Sequence, residues 1–233
     1  MQMSIADNIK LVKSDIEKAA RLSSRDASGI KLIAVTKTKP IEMMQEAKNA
    51  GLFDFGENRP QEIVSKYPEF EDDGIQWHLI GQLQKNKVRH IIDKVCLIHS
   101  VDSFELALEI NKRASAIDKV QDILIQVNVS GEESKSGVMP NDVVLLCQKI
   151  SELENVRIKG LMTISVRDFS YQQNYELFSQ LKGISEKIMD MQIKNVDMQE
   201  LSMGMTHDYD AAIAAGATMI RVGTAIFGER VNY

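Results

Sequence analysis

Apolar residues in this chain follow two alternating rhythms. Over residues 4–23, Ile5, Ile9, Val12, Ile16 and Ala19 recur every three or four positions, the spacing of one buried helix face, with Ser4 placed as its N-cap. Short runs with apolar residues at consecutive or alternate positions follow at 31–37, 52–56, 76–80, 95–100, 123–129, 157–164, 200–203 and 218–222, and predict eight strands. Helical spacing returns between most of them, over 41–50, 60–66, 85–92, 103–116, 140–153, 171–191 and 208–215. Repeated strand–helix units imply parallel strands, and consecutive apolar positions suit strands covered on both faces. Eight such units predict a single α/β domain over residues 1–233, a closed (β/α)8 or TIM barrel. The alternative is an open doubly wound sheet, which lacks here a Gly-x-Gly-x-x-Gly after its first strand. Segments 72–74 and 131–134 read as surface loops, and the chain ends soon after the eighth strand, leaving no room for a second domain.

Composition narrows the function classes. A 44% hydrophobic and 26% charged content is that of an ordinary globular protein. The net charge of -5 speaks against a nucleic-acid partner. No apolar run approaches the roughly 18 residues that would span a bilayer, and Asp7, Lys10, Lys13 and Asp15 exclude a signal peptide at the start. The expected location is therefore cytoplasmic, with no membrane partner. Cys96 and Cys147 are expected buried and reduced, and no Cys/His spacing suggests a metal site.

Candidate chemistry concentrates where a barrel keeps it, at the C-terminal ends of the strands. Leu201-Ser202-Met203-Gly204-Met205 and Arg221-Val222-Gly223-Thr224 close the last two strands with small, hydroxylated or glycine residues, the usual makings of a phosphate cradle. Turn chemistry alone also accounts for such residues. Lys37 shares strand parity with Ile33 and Val35; it reads as a nucleophilic amine against apolar walls, or as a strand-end lysine reaching water. Lys39, beside Pro40, reads as the second kind. Arg221 offers a guanidinium to a carboxylate, phosphate or ring nitrogen, or closes an ion pair across the barrel. Asn58 offers a hydrogen bond to a ring hydroxyl. His78 reads more readily as a satisfied core histidine than as a base, Asp208 more readily as an N-cap than as a catalyst, and Met162-Thr163 as packing; Asn128 ends the fifth strand.

Five motifs together resemble the pyridoxal phosphate homeostasis proteins of the YggS/PROSC type. They are Ala34-Val35-Thr36-Lys37-Thr38-Lys39-Pro40, Phe55-Gly56-Glu57-Asn58, Trp77-His78-Leu79-Ile80-Gly81-Gln82-Leu83-Gln84-Lys85-Asn86-Lys87, Leu201-Ser202-Met203-Gly204-Met205 and Ile220-Arg221-Val222-Gly223-Thr224-Ala225-Ile226-Phe227-Gly228. The resemblance implies a fold like the N-terminal barrel domain of alanine racemase, with pyridoxal 5'-phosphate (PLP) as cofactor. It implies that Lys37 is the Schiff-base lysine and that Ser202, Gly223 and Thr224 contact the phosphate, with Met203 and Gly204 adjacent. It implies that Arg221 faces the pyridine nitrogen and that Asn58 lies near the ring. Thr36 stands where serine is more usual, and Arg59-Pro60 departs from the common pattern, with Pro60 starting a helix.

Two functions share this site: a PLP carrier serving homeostasis, with apo PLP-enzymes as its expected partners, and a PLP-dependent amino-acid racemase. A two-base racemase needs a second acid/base over the ring, and none of the five tyrosines lies in the five motifs. An arginine facing the pyridine nitrogen keeps that nitrogen unprotonated and weakens the ring as an electron sink. Both points favour the carrier, expected as a monomer. A phosphosugar-binding barrel enzyme without PLP explains the cradle and leaves Lys37 idle.

Overall fold

The computed structural model describes residues 3–71, 73–132 and 135–229. Eight parallel strands close into a barrel in sequence order: β1 (Lys31–Val35), β2 (Asp54–Glu57), β3 (Gln76–Leu79), β4 (Val95–Val101), β5 (Gln121–Gln126), β6 (Val156–Met162), β7 (Val196–Ser202) and β8 (Met219–Val222). β8 pairs with β1 from Lys31↔Met219 to Ala34↔Val222, which closes the ring. The helices are α1 (Ile5–Leu22), α2 (Ile41–Asn49), α3 (Pro60–Lys66), α4 (Phe104–Ser115), α5 (Val143–Ile150), α6 (Tyr171–Asp190), α7 (Tyr209–Ala215) and α8 (Thr224–Phe227). The Ser4 side chain accepts from the Asp7 N–H and caps α1, and Pro60 occupies the first turn of α3, where its missing N–H costs nothing.

Strand alternation sorts the barrel into two apolar regions. Outward residues such as Ala34, Phe55, Trp77, Leu79 and Ile98 pack against the helices in the main core. Phe55, Phe70 and Trp77 meet edge to face there, with ring centroids 6.0–6.2 Å apart. Inward residues Ile33, Leu97, Leu124, Met162 and Met219 form a small separate cluster that plugs the barrel. Met162 is packing, as its sequence suggested.

Several boundaries differ from the sequence reading for local reasons. β1 stops at Val35, so Lys37 lies in a turn rather than on the strand, with Thr38 at φ +62°. Residues 85–90 form a 3₁₀ helix, and 140–142 another ahead of α5. β7 starts earlier than expected because its pairing with β6 bulges: Ile158 faces Val196, yet Gly160 faces Glu200. α8 is too short to show periodicity and reads in sequence as loop. Cys147 is buried, but Cys96 is only half-buried, contrary to expectation. Residues 72, 133, 134 and 230–233, parts of the expected surface loops and of the chain's end, lie outside the described residues. No described helix is long and apolar enough to cross a membrane.

Candidate functional site

A cavity of about 420 Å³ opens at the C-terminal mouth of the barrel. Val35 at the end of β1, Lys37 beyond it, Asn58 beyond β2, Ile80, Gly81 and Gln82 beyond β3, and Arg221 on β8 line it. The end of β5 adds Gln126, the segment after it adds Val127, Asn128, Lys135 and Ser136, and Ile164 and Met205 complete the wall. Among the described lining residues the ionisable side chains are Lys37, Lys135 and Arg221, all basic. That is a setting for an anionic ligand.

The backbone at Lys37 is held from outside the barrel. The Thr36 hydroxyl donates to Glu57 Oε1 at 2.7 Å, and Lys66 Nζ on α3 donates to the same oxygen at 2.7 Å and to the Thr36 carbonyl at 2.8 Å. Glu62, one turn earlier on α3, accepts from the Thr38 N–H at 2.8 Å. Glu57 is fully buried, and burial raises its carboxyl above the usual carboxylate range against the opposing pull of Lys66 and Thr36. Its Oε2 has no hydrogen-bond partner among the described residues. The turn that carries Lys37 is thus pinned on both sides. Lys39 does not simply reach water: its Nζ donates to the carbonyls of Phe227, Gly228 and Glu229 at 3.0–3.2 Å and caps the end of α8.

Asn58 is placed by close backbone approach. A Cβ on Gly81 would sit 2.2 Å from the Asn58 carbonyl oxygen, so only glycine lets the β3 loop pass there. Asn128 organises the loop after β5. Its Nδ2 donates to the carbonyls of Glu132 and Lys135 at 2.9 and 3.3 Å, and its Oδ1 accepts from the Gly131 N–H at 3.1 Å. That loop folds back on β5 through Val138 N–H to the Gln126 carbonyl, 2.9 Å, and brings Lys135 over the cavity.

Among the described residues Arg221 makes no ion pair across the barrel. Its guanidinium donates from Nη1 to Ser202 Oγ at 2.6 Å and from Nη2 to the Thr163 carbonyl at 2.9 Å. Burial lowers its pKa to about 10, with the charge of Asp208 acting the other way, so it is cationic at neutral pH. Ser202 also meets His99 Nδ1 at 2.9 Å, and His99 Nε2 meets His78 Nδ1 at 3.0 Å. His78 ends on Asp54 at 3.0 Å and is satisfied inside the barrel, as its position in the sequence suggested.

Residues 8–231 match the family model for the alanine racemase N-terminal domain. The pyridoxal phosphate homeostasis protein of Aquifex aeolicus is 43% identical over 98% of this chain and 99% of its own length. That of Escherichia coli K12 is 38% identical over 97% of each chain. This chain belongs to the pyridoxal phosphate homeostasis protein family. PipY of Synechococcus elongatus PCC7942, solved with PLP bound, superposes with a TM-score of 0.83 at 34% identity, covering 97% of this chain and 100% of that one. The alanine racemase of Clostridium difficile 630 shares the fold at a TM-score of 0.73 and 17% identity, over 97% of this chain and 58% of its own.

In this family member the eight candidate residues fall into three groups. Lys37, Asn58 and Arg221 meet in the cavity wall. Ser202, Met203 and Gly204 lie fully buried behind it: Ser202 touches Arg221, Met203 packs in the main core, and the Met203 N–H is already given to the Met219 carbonyl at 3.1 Å. Gly204, at φ +92°, has space for no Cβ because Ala212 Cβ would lie 2.6 Å away, so it lets α7 pack close. Gly223 lies against Val35, and Thr224 is exposed; the two open α8, where the Ile226 and Phe227 N–H groups return to the Gly223 carbonyl at 3.0 and 2.9 Å. Asp208 precedes α7 but does not cap it with its side chain; Oδ1 takes the Met205 N–H at 2.5 Å instead. Sequence reasoning did not single out Gln126 and Lys135, which a loop hides, or His99, whose partner Ser202 lies 103 residues away.

Proposed function

We propose that this protein binds PLP in the cavity at the barrel mouth, holds it on Lys37, and serves PLP homeostasis by storing it and handing it to apo PLP-enzymes. The observation that carries this reading is the cavity's residue set: an amine at Lys37, a buried guanidinium at Arg221 and a further amine at Lys135, with no carboxylate among its described lining residues. The site fits the cofactor's chemistry: cations to meet the phosphate, a polar amide at Asn58 for the ring, and a volume within the range of small-ligand pockets. PLP would supply an aldehyde. Lys37 would attack it as an amine, and the Thr36–Glu57–Lys66 cluster would hold the Lys37 backbone in place. Arg221 would donate to the ring nitrogen while keeping its bond to Ser202, and Ser202, Gly223 and Thr224 would supply hydroxyl and amide donors to the phosphate.

No tyrosine is among the described lining residues, so the racemase reading gains no second base from that side chain, and the alanine racemases stand only as distant fold relatives. Titrating the protein with PLP should produce a new absorption band that Lys37→Ala abolishes. A band of the same intensity in Lys37→Ala would overturn the assignment.

A further inference from the structure

A continuous line of hydrogen bonds crosses the barrel interior beneath the cavity. It runs from Arg221 to Ser202 (2.6 Å), to His99 (2.9 Å), to His78 (3.0 Å) and to Asp54 (3.0 Å). Arg221 lines the cavity, whereas Asp54 lies at the N-terminal end of β2, where Lys31 meets it at 3.3 Å and its side chain is 24% exposed. Between these ends Ser202, His99 and His78 are at most 1% exposed.

The chemistry of the two ends fixes the direction of every bond. A guanidinium only donates and an ionised carboxylate only accepts. With both imidazoles neutral, one pattern satisfies the line. His78 Nε2–H donates to Asp54, His99 Nε2–H donates to His78 Nδ1, and the Ser202 hydroxyl spends its hydrogen on His99 Nδ1. One added proton reverses the middle of the line. His78 then donates from both nitrogens, neutral His99 carries its hydrogen on Nδ1, and Ser202 Oγ accepts from both His99 and Arg221. The hydroxyl hydrogen of Ser202 is released. We infer that the His78–His99 pair is a proton-operated positioning element: a proton taken up from water at the Asp54 end turns the Ser202 hydroxyl away from His99 and toward an anionic group held beside Arg221. This deepens the PLP reading and rests on it, the anion being the phosphate monoester.

The titratable and charged groups facing the pair are Asp54 on β2, Cys96 on β4 with Sγ 3.6 Å from His78 Nε2, Lys31 on β1 and Arg221 on β8. Burial opposes a charge on His78, but the bonds and charges of Asp54 and Cys96 outweigh it and raise its pKa to about 8. Burial, then the positive charges of His78, Arg221 and Lys31, keep His99 well below its ordinary value. The added proton therefore resides on His78, and His99 passes the change on by exchanging tautomers.

Two measurements test this. The first is nitrogen-15 NMR of protein labelled at its four histidines. The His99 hydrogen is expected on Nε2 at pH 10 and on Nδ1 at pH 6.5, and a single tautomer throughout would overturn the inference. The second compares affinities for 4-deoxypyridoxine 5'-phosphate, which has no aldehyde for Lys37, and for unphosphorylated 4-deoxypyridoxine. Since the phosphate favours the protonated pair, the ratio should be flat just below about pH 8 and fall by up to about tenfold per pH unit above it. In Asp54→Asn the fall should begin at lower pH, because the carboxylate that steadies the proton is gone. An unchanged profile in that variant, or a flat ratio above pH 8 in the unmodified protein, would overturn the inference and leave the PLP reading standing. If neither PLP nor the phosphorylated analogue binds, the PLP reading fails and this inference with it.

Discussion

Thr36, Glu57 and Lys66 meet on the outer side of the barrel wall, between two strands and α3; His78, His99, Ser202 and Arg221 meet inside it. Both clusters are buried and each holds a cavity-lining residue, Lys37 or Arg221, yet they restrain different things. The outer cluster grips a backbone: Lys66 and Glu57 fasten Thr36, and Lys37 follows one residue later. The inner cluster grips a side chain, setting the guanidinium of Arg221 through Ser202 and the Thr163 carbonyl. On the proposed reading, the residue that takes up the aldehyde is fixed by its backbone. On the same reading, the residue that recognises charge is fixed to its tip. The clusters also differ electrically. The outer one pairs a buried anion with a buried cation, while the inner one strings a serine and two histidines, His78 protonated below about pH 8, between a cation and a distant anion.

Substitutions separate these two kinds of restraint. The largest effect on binding is expected from Arg221→Glu, which removes two charge-assisted bonds and puts an anion in the cavity wall. PLP affinity should fall by about ten- to a hundredfold, from roughly 1.5–3 kcal/mol for the charged hydrogen bond to the ring nitrogen. Equilibrium dialysis would measure it, and a loss no greater than that of Lys39→Ala would mean that the inner cluster does not set the site. Next comes Lys66→Met, which strands the buried Glu57 carboxylate. It should cost about 3–5 kcal/mol of stability in urea unfolding, and adding Glu57→Gln should recover part of that. If Lys66→Met leaves the urea midpoint unchanged, the outer pair is not a structural clamp. Thr36→Val should cost about 1 kcal/mol and Thr36→Ser much less, since serine keeps the hydroxyl that Glu57 accepts. Equal effects would show that the methyl, not the hydroxyl, matters. Smallest is Lys39→Ala, which uncaps α8 and should weaken PLP binding less than tenfold.

The same contrast marks what the sequence made legible. Strand count, parallel order and barrel closure followed from alternating periodicities, because every strand–helix unit repeats the same burial problem. Lys37, Asn58 and Arg221 were found because strand ends with known parity converge at one mouth. Ser202 was named as a phosphate contact, but its burial behind Arg221 was not foreseen, since that depends on which strand faces which across the barrel. His99 carries no local mark: in an apolar strand it reads like any core residue until Ser202 and His78 are brought to it. Lys135 needs a loop that doubles back on its own strand. The end of β1 was overextended because apolar parity continues through Lys37, whereas Lys66 and Glu62 bend the backbone away at Thr36 and Thr38.

The claim that PLP is held on the lysine of the pinned turn is tested most directly by borohydride reduction of the PLP-loaded protein, followed by mass mapping of the modified peptide. The expected result is a phosphopyridoxyl group on Lys37. The same group on Lys39 or Lys135 with Lys37 unmodified, or no modified lysine at all, would contradict it.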